Sequence, residues 1–127
     1  MQDSKEYALH RFWSSFGLKA YDENTVPDKA MDENNGRYIT YSVYTSTFED
    51  PVPLYASLWY RDTSWEEITE KVNVISNYIG YGGRIISYDG GKMWILRGVP
   101  FSQRMPDEDD QIRRIYINIM VEFLSVD

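Results

Sequence analysis

The chain has no cysteine and one histidine, His10. The first absence excludes disulfides, a thiolate nucleophile and zinc–thiolate ligation. The second leaves His10 as the only imidazole for general acid–base work. It lies beside an apolar helical stripe, where a surface or boundary residue is expected, because a catalytic histidine needs oriented partners. A Ser-His-Asp triad would have to use it, and no serine is marked out as its partner. No run approaches the roughly 20 apolar residues of a membrane-spanning helix. Residues Met1 to Glu6 lack the apolar stretch of a signal peptide, so a soluble protein made inside the cell, with no membrane partner, is expected. Positive charge is also scarce: 13 Lys and Arg face 20 Asp and Glu, for a net charge of −7. The excess is spread along the chain, and it argues against tight phosphate-backbone binding, which needs a concentrated basic surface.

The excess is aromatic: 16% of the chain, with 11 Tyr and 4 Trp. The 127 residues fit one domain spanning 1–127 that buries a core without metals or cross-links. Ser4 is a candidate cap for a first helix, with Leu9, Phe12, Trp13 and Phe16 on one face and Gly17 at its C′ position. A polar connector, Tyr21 to Gly36, follows. Tyr38 to Thr47 alternates as a strand, Phe48 to Pro53 reads as a turn, and Leu54 to Asp62 is a second strand. Ser64-Trp65-Glu66-Glu67 has the form of a capping box before a stripe of Ile68, Val72, Ile75 and Ile79. A hairpin joins Arg84–Tyr88 to Lys92–Arg97 through Asp89-Gly90-Gly91. Gly98 to Asp110 reads as a loop, and a last strand runs from Ile112 to about Leu124. The expected fold is α+β: two helices on one face of a mixed, mostly antiparallel sheet, in the order α-β-β-α-β-β-β. A right-handed crossover through the second helix would unite the strand groups.

The chemistry-bearing patterns are weak. Asp32-Glu33-Asn34-Asn35-Gly36 has the outline of a calcium loop, but its glycine falls one place early and position 12 is Val43, not Glu. The acid run Asp107 to Asp110 fits a solvated turn, with Arg113 and Arg114 nearby to offset its charge. Gly80-x-Gly-Gly and Gly90-Gly-Lys92 lack the strand–loop–helix setting of a phosphate cradle. No catalytic residue, cofactor or metal is therefore assigned, and a non-enzymatic role is expected. A small α+β enzyme or ligand-binding domain is the alternative from a different class, since 20 acids always allow some carboxylate pair within range.

The positive signal is on the strands. Ile39, Tyr41, Val43, Ala56, Leu58, Tyr60 and the alternate residues from Ile115 to Phe123 suit a helix-covered face. The other face then carries Tyr38, Tyr44, Tyr55, Trp59, Tyr116 and Met120, with Tyr88 and Trp94 added by the hairpin. A wet sheet face is normally polar, whereas Tyr, Trp, Met and Arg are enriched in protein contacts. Loops or the first helix cover this face within one subunit, or neighbouring subunits cover it. The composition favours neighbours.

Five stretches, in order, resemble a known family. They are Ala20-Tyr21-Asp22-Glu23-Asn24-Thr25-Val26-Pro27, Tyr38-Ile39-Thr40-Tyr41, Ser57 to Trp65, Trp94 to Met105 and Ile112 to Ile119. The chain is similar there to the tail terminators, or tail-completion proteins, of long non-contractile-tailed phages and prophages. The segment Lys29 to Arg37 departs from the pattern by its length. The resemblance implies a structural virion protein at the head-proximal end of the tail. Such proteins form a ring, usually a hexamer, on the last ring of the major tail tube protein, end its growth and offer a surface to the head–tail connector proteins. DNA passes through the ring without sequence-specific binding, and an acidic lumen suits that passage. A head–tail connector at the same junction is the nearest alternative. Tyr55, Trp59, Tyr116 and Met120 are the expected subunit contacts. Arg97 and, between two prolines, Phe101, Gln103, Arg104 and Met105 are the expected contacts to a tail partner.

Overall fold

The computed structural model describes residues 4–43 and 51–125. Within them the chain is α+β, with three helices and one mixed six-stranded sheet. The elements are α1 (Lys5–Ser14), β1 (Lys19–Asp22), α2 (Ala30–Glu33), β2 (Arg37–Tyr41), β3 (Val52–Arg61), α3 (Glu66–Ile79), β4 (Arg84–Tyr88), β5 (Gly91–Met105) and β6 (Ile112–Ser125). The sheet order is β1-β2-β3-β6-β5-β4, antiparallel throughout except for the parallel β1–β2 pair.

Ser4 caps α1: its hydroxyl accepts the Tyr7 amide at 3.0 Å. Ala8, Leu9, Phe12 and Trp13 on α1 are buried, as is Phe16 just beyond it. Gly17 takes the left-handed φ of +83°, two places beyond the Ser15 cap instead of the one expected. On α3, Ile68, Val72, Ile75 and Ile79 are all buried. These two stripes lie on one sheet face and meet Ile39, Leu54, Leu58, Tyr60, Met93, Ile95, Ile115, Ile117, Ile119 and Val121 in one core. Helix α1 reaches both edge strands, β1 and β4, and Arg11 donates to the Ser87 carbonyl at 3.1 Å.

Several expectations need correction. The connector from Tyr21 to Gly36 is not structureless: Tyr21 and Asp22 end β1, and α2 lies within it, so the order gains a strand and a helix. Residues 98–105, expected as a loop, lengthen β5, which pairs with β6 on both sides of a register shift between Arg97 and Ser102. Strand β2 ends at Tyr41. The expected strand residues 44–47, with Tyr44, and the turn residues 48–50 lie outside the described residues. The expected turn residues Val52 and Pro53 open β3 instead. The Ser64 hydroxyl accepts the Glu66 amide at 3.1 Å, and Glu67 turns away from it to pair with Arg37, so no reciprocal capping box forms. In the β4–β5 turn only Gly90 has positive φ, at 96°. Tyr88 faces the helices, edge-on to Phe123 at 6.2 Å, and does not join the open face. Strands β3 and β4, which flank α3, run antiparallel, so the handedness rule for parallel crossovers does not apply to them.

Candidate interaction surface on the open sheet face

Strand alternation sends every second side chain to the face away from α1 and α3. Across β1, β2, β3 and β6 that face carries a continuous row. Tyr21 meets Tyr38 edge-on at 6.0 Å, and Tyr38 stacks on Trp59 at 6.0 Å with their planes 9° apart. The Arg114 guanidinium lies 4.4 Å from the Trp59 ring centre and 6.0 Å from that of Tyr116. Tyr116 in turn stacks on Tyr55 at 5.0 Å. Backbone register explains the row, because Tyr38 lies opposite Trp59, and Trp59 opposite Arg114. Cross-strand partners stand close enough for flat groups to lie face to face. Stacked pairs contribute about 0.5–1.5 kcal/mol each, and a cation over a ring about 0.5–2 kcal/mol.

Polar tethers hold the row. Trp59 Nε1 donates to Thr40 Oγ1 at 3.0 Å, and Arg114 Nε donates to Ser57 Oγ at 3.1 Å. Thr40 and Ser57 are buried beneath the larger groups, so these bonds satisfy hydroxyls that water does not reach. The Tyr55 hydroxyl donates to Glu23 Oε1 at 2.8 Å, and Asn34 Nδ2 donates to the Tyr21 hydroxyl at 2.8 Å. Burial pushes the Tyr38 hydroxyl above the usual tyrosine range; the negative charge of Asp107 and the neighbouring Tyr21 add to the rise, and Arg114 opposes it. The row thus sets phenol rings and an indole around the Arg114 guanidinium. Met120 continues the face beyond it, opposite Pro53 on β3 and Leu96 on β5. Tyr38, Tyr55, Trp59, Arg114, Tyr116 and Met120 are all half-buried.

Tyr55, Trp59, Tyr116 and Met120 share this face. Gln103 and Met105 join them, because the lengthened β5 sets them opposite Tyr116 and Arg114. Arg97 and Arg104 fall on the helix side: Arg97 donates to Ser76 Oγ at 3.0 Å, and Arg104 lies 4.6 Å over the Trp65 ring. Phe101 sits in the irregular segment of β5 and packs against the core. Tyr21, Thr40, Ser57 and Arg114 were not among the candidates. Alternation along β2, β3 and β6 would have found the last three; Tyr21 needed β1.

The other polar groups singled out in the sequence make local contacts among the described residues. His10 Nδ1 lies 2.9 Å from the Tyr41 hydroxyl and Nε2 3.4 Å from Ser14 Oγ, with no carboxylate among its described hydrogen-bond partners. No group of three or more His, Asp or Glu side chains converges on a metal-sized site among the described residues. Asp32 pairs with Arg61 at 2.9 Å. Asp107 and Asp109 each accept the amide two residues on, so the acid run folds on itself in consecutive Asx turns. No helix among the described residues is long and apolar enough to cross a membrane. The chain matches no protein-family model and no curated protein.

Proposed function

We propose that this chain is a structural virion protein: a tail terminator that caps the end of a phage tail tube as a ring of identical subunits. It ends tube growth and provides the surface that joins the head connector. The observation that carries this reading is the Tyr38–Trp59–Arg114–Tyr116–Tyr55 row, built on a sheet face that neither α1 nor α3 covers and that the short α2 reaches at β2 and β3. Flat aromatic groups held by hydrogen bonds lose little conformational freedom on contact, which suits them to an assembly surface. The five stretches resembling tail terminators support the particular role. Tyr55, Trp59, Tyr116 and Met120, with Gln103 and Met105, supply contact to neighbouring subunits or the tube. Arg97 and Phe101 lie toward the other side or edge of β5 and serve a tail partner, while Arg104, at the open edge, serves a tail partner or the next subunit. No bond is made or broken: the ring occupies the place of the next tube ring and presents a different face.

The test is deletion of the gene from the phage that carries it, with electron microscopy of the particles. Tails of irregular, excessive length that fail to join heads are expected. Tails of normal length that join heads normally would end the terminator reading. Recovery of the protein with tailless capsids, and not with headless tails, would favour the connector role.

A further inference from the structure

Strand β4 pairs with β5 only from Gly91 to Ile95. Beyond the register shift, Ser102 to Met105 is bonded to β6 on one side and to no described strand on the other. The chain therefore has a four-residue open edge in the second half of β5. Among the described residues the sheet's edge strands are open as well: β4 runs in the same sense as β1 and would meet it only in parallel, whereas the four-residue edge of β1 (Lys19–Asp22) runs antiparallel to β5. Open edges are templates for pairing with another chain unless something blunts them.

We infer that the β1 and β5 edges pair between copies, β1 of one subunit adding to residues 102–105 of the next, so that the sheet runs on from subunit to subunit. This contact rests on the ring reading above and specifies how the ring is joined. Strand direction permits it. Strand β1 runs parallel to β2, and the antiparallel steps through β3 and β6 leave β1 antiparallel to β5. Copies placed side by side, with their helices on the same side, therefore meet in antiparallel pairing. The contact uses different surfaces on the two partners, so it is heterologous and closes into a ring when the rotation per copy divides a full turn.

Side-chain parity permits it as well. Full overlap sets Lys19, Ala20, Tyr21 and Asp22 opposite Met105, Arg104, Gln103 and Ser102. Tyr21, Gln103 and Met105 then share the open face, where Tyr21 reaches the thioether of Met105 on the diagonal. On the helix side Arg104 stands opposite the small Ala20 and diagonal to Asp22. Arg104 lies over Trp65 and makes no hydrogen bond with a described residue, while the Asp22 carboxylate is held through Oδ1 by Asn24. In the paired edges its other oxygen takes the guanidinium. The exposed cation of one edge thus faces the half-buried anion of the other.

Two measurements on the full chain test this. The protein has no native cysteine, so a Tyr21→Cys/Gln103→Cys variant is expected to give a ladder of cross-linked subunits on oxidation, and each single variant no ladder. By light scattering, Asp22→Arg or Arg104→Asp alone is expected to weaken self-association about fivefold, and the double charge swap to restore it. Circular dichroism checks that each variant folds. Self-association of the native chain without a ladder and without rescue by the swap overturns the edge pairing and leaves the ring to another contact. A native chain that stays monomeric, both free and on tube ends, overturns the ring reading and the edge pairing together.

Discussion

Tyr60 has a phenol hydroxyl in a nearly sealed position, 2% exposed on the helix-covered face. Burial pushes its ionisation above the usual tyrosine range of about 10; the Arg37 guanidinium, 5.0 Å from the ring centre, opposes the rise, and Glu67 adds to it. Tyr41 is raised by burial and by Asp22, and Tyr38 chiefly by burial. The linkage has one sign for all three. A folded-state value above the unfolded one means the folded chain holds the proton more tightly, so the contribution is intact below about pH 10 and is lost as pH rises through the folded values. Urea midpoints are expected to show no tyrosine-linked loss between pH 7 and about 9.5 and to fall steeply above about 10. Tyr60→Phe is expected to reduce that alkaline loss, since it removes one ionisation that the core resists. An unchanged slope above pH 10 in Tyr60→Phe, followed by tyrosinate absorbance, would show that Tyr60 ionises freely in the folded chain.

Strand β5 is the element where sequence and structure diverge most, and a glycine explains how it works. A Cβ on Gly98 would lie 2.8 Å from both Cβ and the carbonyl oxygen of Asn118, so β5 crosses β6 there at a distance only glycine allows. Gly98→Ala is expected to cost about 1–3 kcal/mol through overpacking, read as a lowered urea midpoint. A matched change at Gly82, where a Cβ meets nothing within 4 Å, is expected to be near neutral. The pair tests whether close approach, and not glycine content as such, sets the cost. The same residue shows why this element was hard to read. Gly98, Pro100 and Pro106 look like loop punctuation, yet the strand passes through Pro100 by an irregular step and resumes pairing at Ser102. Strand β1 was hidden for another reason: four residues with one buried position carry no period to detect, and the parallel neighbour β2 supplies the evidence only in three dimensions. By contrast α1, α3 and β6 were legible, because each repeats its apolar residues at its own period for ten residues or more. The site followed the same division. Tyr55, Trp59, Tyr116 and Met120 came from alternation alone, whereas Gln103 and Met105 joined them only once β5 was known to continue.

At the scale of the whole molecule the sheet has two faces with different tasks, and substitution on one strand can separate them. Ile117 and Tyr116 are neighbours on β6 that point to opposite sides, Ile117 fully buried among the helices and Tyr116 half-buried in the aromatic row. Ile117→Ala removes buried methyl groups and leaves a cavity, for an expected loss of about 2–5 kcal/mol. Its surviving folded fraction keeps an intact open face and is expected to assemble as the native chain does. Trp59→Ser with Tyr116→Ser removes two stacked pairs and the ring contacts of Arg114, for an expected loss of about 1.5–5 kcal/mol in the free chain. In the proposed ring the same two side chains meet a second surface, so the fraction that stays folded is expected to lose assembly, which the folded fraction of Ile117→Ala keeps. Interface anchors of this type often cost 2 kcal/mol or more on truncation, about thirtyfold in affinity. Urea unfolding of the free chain beside its sedimentation on purified tail tubes reads both quantities. A double variant that loses stability as heavily as Ile117→Ala while still capping tubes would mean that the aromatic row completes the fold of one subunit. A double variant that stays folded and no longer caps is what an assembly surface requires.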